Sequence, residues 1–206
     1  MATTVFVDGP GLYHAVLKDR IGRWLDLQRW STLVLPGLAV TRIRYFTAWA
    51  NPPFPGKVDR QRVYLRALAT VPHLSVHLGR GIIEDRIVRT VGTNPKPVRV
   101  HIPRHKGVDV ALATALVTDA AQHDCDTAVI VTADSDLRPA LQAARQQFDV
   151  RVGIINPLSG GRGMALREDA DFHLRPPRET YLAAQFPRTM SDQHGTFRAP
   201  QGWANK

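Results

Sequence analysis

Asp8, Asp109, Asp134 and Asp136 are the side chains of this chain best placed to do chemistry. Asp8 ends an apolar run over residues 3–7 and is followed by Gly9-Pro10-Gly11. Asp134 and Asp136 come just after the apolar run Thr127–Val131, in Thr132-Ala133-Asp134-Ser135-Asp136. Asp109 opens a helical stretch in Lys106-Gly107-Val108-Asp109-Val110. Carboxylates crowded at one place repel one another, and some stay protonated unless a cation holds them. Oxygen donors without Cys or His suit Mg²⁺ or Mn²⁺. Such an ion activates water and neutralises charge building on a phosphoryl group. Each aspartate alone also has a local use: Asp8 as a turn residue, Asp134 or Asp136 as a helix N-cap, Asp109 in a first helical turn.

The elements around these residues decide whether they meet. Residues 3–7 and 127–131 are short, apolar and β-branched, as buried parallel strands are. Further strands are expected over 40–49, where Ile43, Tyr45 and Thr47 alternate, over 74–78 and over 150–155. Helices are expected over 12–18, 27–35, 57–70, 109–121 and 135–147, with a last helix and short strand over 164–174. Residues 51–56 read as a loop. Residues 79–104, rich in Arg, Gly and Pro, read as short antiparallel strands at Ile82-Ile83, Ile87-Val88 and 98–102. Alternating strands and helices predict a parallel sheet covered on both faces. Ligands on such sheets sit beyond the carboxyl ends of the strands, where three of the aspartates fall. One domain is expected over 1–175. Pro176-Pro177, Gly195, Pro200 and Gly202 predict a loosely structured tail over 176–206.

Charge points to an anionic partner. The 206 residues carry a formal net charge of +9, and the sequence pI is near 10.4. Residues 1–105 hold 16 basic and 6 acidic residues, whereas 106–206 hold 11 and 12. A basic half beside a balanced one fits nucleic acid. Arg60, Arg62, Arg66, Arg80, Arg86, Arg89, Arg99, Arg104 and Lys106 are the candidates for phosphate contacts, with a plain solvated face as the competing account. The apolar runs are well short of the roughly 18 to 20 residues that cross a bilayer. No basic stretch precedes the first apolar run, so a signal peptide is not expected. Cys125, the one cysteine, can form neither an internal disulfide nor a Cys-rich zinc site, which fits a cytoplasmic setting.

The remaining candidates have plainer readings. Ser135 fits a helix N-cap. His101 and His105 have the gap of helical zinc ligands, but Pro103 between them argues against a helix. His105 and Lys106 precede Asp109 closely enough to contact a scissile phosphate. Trp24, Trp30, Trp49 and Tyr45 read as core residues, and Cys125 as a buried inert one.

Three stretches together resemble a known family: Val5-Phe6-Val7-Asp8-Gly9-Pro10-Gly11-Leu12-Tyr13, then Lys106-Gly107-Val108-Asp109, then Val131-Thr132-Ala133-Asp134-Ser135-Asp136-Leu137-Arg138-Pro139. They are similar to the NYN domain, in its LabA-like branch, of the PIN-like ribonuclease superfamily. Leu166 with Ala170-Asp171-Phe172 is similar to the stretch that closes that domain, and residues 61–79 fit as well. The likeness spans residues 3–174. It implies a Rossmann-like three-layer α/β/α domain with a mostly parallel central sheet. It also implies a Mg²⁺- or Mn²⁺-dependent ribonuclease whose acidic cluster falls on Asp8, Asp109, Asp134 and Asp136. Two positions depart from the pattern: Gly11 stands where Asn is usual, and Ala115 where a further Asp is frequent. The partner expected is RNA in single-stranded regions, without a membrane; assembly into homo-oligomers stays open. A catalytically degenerate RNA-binding or regulatory module is the rival, and a phosphohydrolase for small nucleotides a third reading.

Overall fold

Asp8 closes β1 (Thr3–Asp8), a strand buried at every position, as the centre of a parallel sheet requires. The structure is a computed structural model that describes residues 1–17, 22–50, 55–92, 94–157 and 164–204. Most of the loop expected over 51–56, and the end of the helix expected over 12–18, lie outside those residues. The other sheet strands are β2 (Val40–Ala48), β3 (Leu74–Arg89), β4 (Pro97–Lys106), β5 (Thr127–Val131), β6 (Arg151–Ile155) and β7 (Phe172–Leu174). They lie in the order β4-β3-β2-β1-β5-β6-β7. All neighbours are parallel except β3 and β4.

The sheet is covered on both faces, as expected. Side chains alternate across a strand, so Val5 and Val7 enter one core and Phe6 the other. The first core holds side chains of α1 (Gly9–Ala15), α2 (Leu27–Val34) and α3 (Pro55–Leu68); the second holds those of α4 (Val108–Ala121) and α5 (Arg138–Gln147). Chain order reverses between β1 and β5, which places a topological switch point at their carboxyl ends. The result is a Rossmann-like α/β/α domain of the PIN-like kind.

Two segments differ from expectation. Residues 79–104 do not break into several short strands. β3 runs unbroken for 16 residues and pairs with β4 from Arg80 opposite Lys106 to Arg89 opposite Pro97, forming a long antiparallel arm. Gly79 does not interrupt the strand but admits the chain crossing over it. A Cβ there would sit 2.6 Å from the Lys106 carbonyl oxygen.

Residues 176–204 are not loose. It forms α6 (Arg178–Ala183) and the hairpin β8 (Thr189–Asp192)–β9 (Gly195–Arg198). Tyr181 stacks on Trp30 at 5.2 Å between ring centroids, and Phe186 meets Trp24 edge-on at 5.7 Å. The Trp24 indole N–H donates to the Pro187 carbonyl at 2.9 Å. Tyr181, Phe186 and Phe197 are buried in the first core. Aromatic burial, rather than a regular hydrophobic period, orders this segment.

Candidate functional site at the sheet switch point

Asp8 is the last residue of β1 and the N-cap of α1, with Pro10 in the first turn. Its carboxylate is therefore fixed at the carboxyl edge of the sheet. The Gly11 N–H donates to Oδ1 at 2.9 Å, and the buried Thr132 hydroxyl donates to Oδ2 at 3.2 Å. Thr132 in turn accepts from the Asp134 N–H at 3.0 Å. One hydroxyl thus ties the end of β1 to the turn after β5. A Cβ on Gly11 would lie 2.1 Å from Asp8 Oδ2, so this carboxylate position depends on glycine at 11.

The other aspartates arrive from the opposite layer. Gly107 adopts φ of 83° as the N-cap of α4, and no side chain caps that helix. Asp109, in its first turn, enjoys the favourable end of the helix dipole. Asp134 caps the short 3₁₀ helix Ser135–Leu137, its Oδ1 accepting from the Asp136 N–H at 2.9 Å. Asp8, Asp109 and Asp134 line one open cleft of about 600 Å³ with Gly11, His14, His105 and Ser135. Asp136 lies outside that lining, though its charge reaches Asp109.

The carboxylates feel one another. Burial, joined by the charges of Asp109 and Asp134, pushes Asp8 up to about 6 against the two hydrogen bonds that lower it. Burial also raises Asp109, helped by Asp134 and Asp136. Burial lowers His105, and His14 acts in the same direction. The oxygen donors fit a hard divalent cation by their chemistry. Among the described residues, no three His, Cys, Asp or Glu side chains are gathered tightly enough to hold a metal as they stand.

The remaining candidates divide. Arg66 is taken out of the phosphate-binding set: its guanidinium makes two bonds to Asp192 of β8, at 2.7 and 2.6 Å. Arg62 lies 3.5 Å from Asp59. Arg60 lines a second hollow with Arg23, Asp59 and Trp203, which shares no residue with the aspartate cleft. Arg80, Arg86, Arg104 and Lys106 lie on the β3–β4 arm. His101 is bound to Asp85, away from the cleft that His105 lines. Trp24, Trp30 and Tyr45 are core residues, whereas Trp49 is 39 % exposed. Cys125 is buried, and burial raises its thiol to about 11. Ala115 packs against the second core and does not line the cleft. Sequence reasoning missed His14 and Thr132. Thr132 had a signal, a hydroxyl residue directly after a buried strand; His14 had none beyond its place in the first helix.

The comparisons with known proteins agree with this architecture. The model of the NYN domain matches residues 2–174. The chain belongs to the NYN domain family. It is 28% identical to the 6-hydroxy-3-succinoylpyridine 3-monooxygenase HspA of Pseudomonas putida, an alignment covering 98% of this chain and 75% of that protein. The fold is also similar to the crystal structure of a protein of unknown function from Vibrio parahaemolyticus. There the TM-score is 0.54 at 18% identity, over 85% of this chain and 93% of the other. The NYN family places this chain in a nuclease-like superfamily. No helix of the described residues is long and apolar enough to cross a membrane.

Proposed function

We propose that this NYN domain is a Mg²⁺- or Mn²⁺-dependent ribonuclease that hydrolyses phosphodiester bonds in the cleft lined by Asp8, Asp109 and Asp134. The observation that carries the reading is that these three carboxylates line one cleft at the switch point of the sheet. Asp8, Asp109 and Asp134 would hold the ion, with Asp136 at the rim. Bound there, the metal supplies a water nucleophile and offsets charge developing on the phosphoryl group. Gly11 and Thr132 fix the two oxygens of Asp8. Ser135 and His105 stand on the walls of the cleft that an entering phosphodiester would occupy.

A second reading rests on the Pseudomonas relative, whose name assigns it oxygenation of a hydroxypyridine. The cleft favours the first reading. Among the described residues, its lining contains carboxylates, imidazoles and small residues, and none of the Phe, Tyr or Trp rings on which a flat heteroaromatic ring would stack. One experiment separates the two. The purified protein is given labelled single-stranded RNA with Mn²⁺, and separately 6-hydroxy-3-succinoylpyridine with O₂ and a reductant. RNA cleavage without pyridine turnover supports the ribonuclease. Hydroxylation of the pyridine with intact RNA overturns it, and inertness toward both leaves a binding-only module.

A further inference from the structure

The β3–β4 arm has two unlike faces. Directly opposed residues of an antiparallel pair share a face, and the face alternates at each step. The rungs Arg80–Lys106, Ile82–Arg104, Glu84–Ile102 and Arg86–Val100 therefore present one side. It carries four cations and one carboxylate. The rungs Gly81–His105, Asp85–His101 and Ile87–Arg99 present the other, where His105 lines the cleft, Asp85 is engaged by His101 and Ile87 is 70% exposed.

On the first face Glu84 draws three cations together. Arg86 Nη2 lies 3.1 Å from its carboxylate, Lys106 Nζ 3.2 Å and Arg104 Nε 3.7 Å. The three cations share this one carboxylate, and their side chains remain about half exposed. Arg80 extends the array beside Lys106. From the Arg80 rung to the Arg86 rung is six residues, roughly 20 Å of strand. The array also ends in the right place. Lys106 is followed by the left-handed Gly107 and then by α4, whose first turn holds Asp109 of the cleft.

We infer that this face of the arm is the track for the RNA backbone, with Arg80, Arg86, Arg104 and Lys106 contacting successive phosphates and leading the strand to the cleft carboxylates. The inference rests on the ribonuclease reading and adds where its substrate lies. An acidic protein is the competing occupant. RNA is favoured because the cations form a line that ends at Lys106, beside His105 and three residues before Asp109 of the cleft, rather than a patch isolated from it. Glu84 is lowered by its bond to Lys106 and by the neighbouring arginines, so it stays ionised and offsets part of the array.

The test measures binding of labelled oligouridylate over a range of salt, in EDTA so that metal-dependent cleavage is off. For the wild type, log affinity falls linearly with log salt, by about 0.7 per phosphate neutralised on a single strand. Substituting Arg86, Arg104 and Lys106 together with Gln should flatten that slope by about 2. The opposite-face pair Arg89→Gln and Arg99→Gln should leave it nearly unchanged. Glu84→Gln guards against misfolding of the triple variant: with one repulsion removed, it should bind RNA more tightly than the wild type. An unchanged slope in the triple variant, or flattening only in the opposite-face pair, overturns the track while the ribonuclease reading stands. Absence of salt-dependent RNA binding by the wild type overturns both, and binding of an acidic peptide in its place identifies the competing occupant.

Discussion

The Gly11 N–H donates to Asp8 Oδ1 at 2.9 Å, while a Cβ on Gly11 would lie 2.1 Å from Asp8 Oδ2. The same residue thus holds one oxygen of the carboxylate and leaves room for the other. In this chain glycine at 11 is matched to the direction in which Asp8 points.

Gly11→Ala should separate stability from site geometry. Alanine in a helix gains up to about 1 kcal/mol over glycine. Displacing Asp8 from its capping position costs about as much. The thermal midpoint should therefore move little, while Mn²⁺ binding and cleavage fall because Asp8 has turned. Calorimetry beside Mn²⁺ titration reads both. A variant with unchanged metal affinity would show that the direction of Asp8 is unimportant.

Thr132 links two strand ends through one hydroxyl. Thr132→Val keeps the shape and removes both bonds, leaving a buried carboxylate oxygen without its donor. The expected loss of stability is about 1–3 kcal/mol. Thr132→Ser should recover most of it. Denaturant unfolding of the two variants checks the pair: a stable Thr132→Val beside a destabilised Thr132→Ser would assign the effect to the methyl group.

The buried Asp8 also sets a pH dependence for the metal-free protein. Its carboxyl is raised from 3.8 to about 6. Below pH about 4 the folded and unfolded chains both hold this proton. Between about 4 and 6 the unfolded chain releases it while the folded chain keeps it. Stability from this group is therefore full at the acid side and declines as pH rises toward 6. At about 1.36 kcal/mol for each pH unit that separates the folded and unfolded titrations, the decline is about 3 kcal/mol. Asp8→Asn should flatten this part of the stability profile, and an identical slope in the variant would remove Asp8 as its source.

Residues 181–204 complete the first core. A chain ending at Arg175 would leave Trp24, Trp30 and Tyr64 without Phe186, Tyr181 and Trp203, their ring partners. Each buried aromatic is worth about 1.5–3 kcal/mol, and the lost contacts approach the roughly 5–15 kcal/mol of a whole domain. Truncation should abolish cooperative unfolding, and Arg66→Ala should lower the melting temperature by freeing β8. A truncated chain that melts cooperatively at the native temperature would contradict this.

The sequence was most legible where one physical rule dominates. β5 begins and ends where its apolar run does, because a central strand has no amphipathic ambiguity. Asp8 at a strand end followed from Gly-Pro-Gly. The arm was not legible as one strand, since both its faces meet solvent and its apolar residues lack a consistent period. The ordered C-terminal segment was hidden for another reason. Its aromatic anchors are spaced among prolines and glycines, and the surfaces they cover are formed by Trp24 and Trp30, far away in the chain. Arg66 could not be sorted from its neighbours because its partner is 126 residues away.

The most direct measurement is the cleavage rate of a 5′-labelled single-stranded RNA with Mn²⁺, compared between the wild type and Asp134→Asn. Asparagine keeps the Oδ1 that accepts the Asp136 N–H, so the turn should hold while one charge of the cleft is lost. The ribonuclease account predicts cleavage by the wild type, its loss in EDTA, and a fall of at least about a hundredfold in the variant. Cleavage at wild-type rate by a folded Asp134→Asn protein would contradict it.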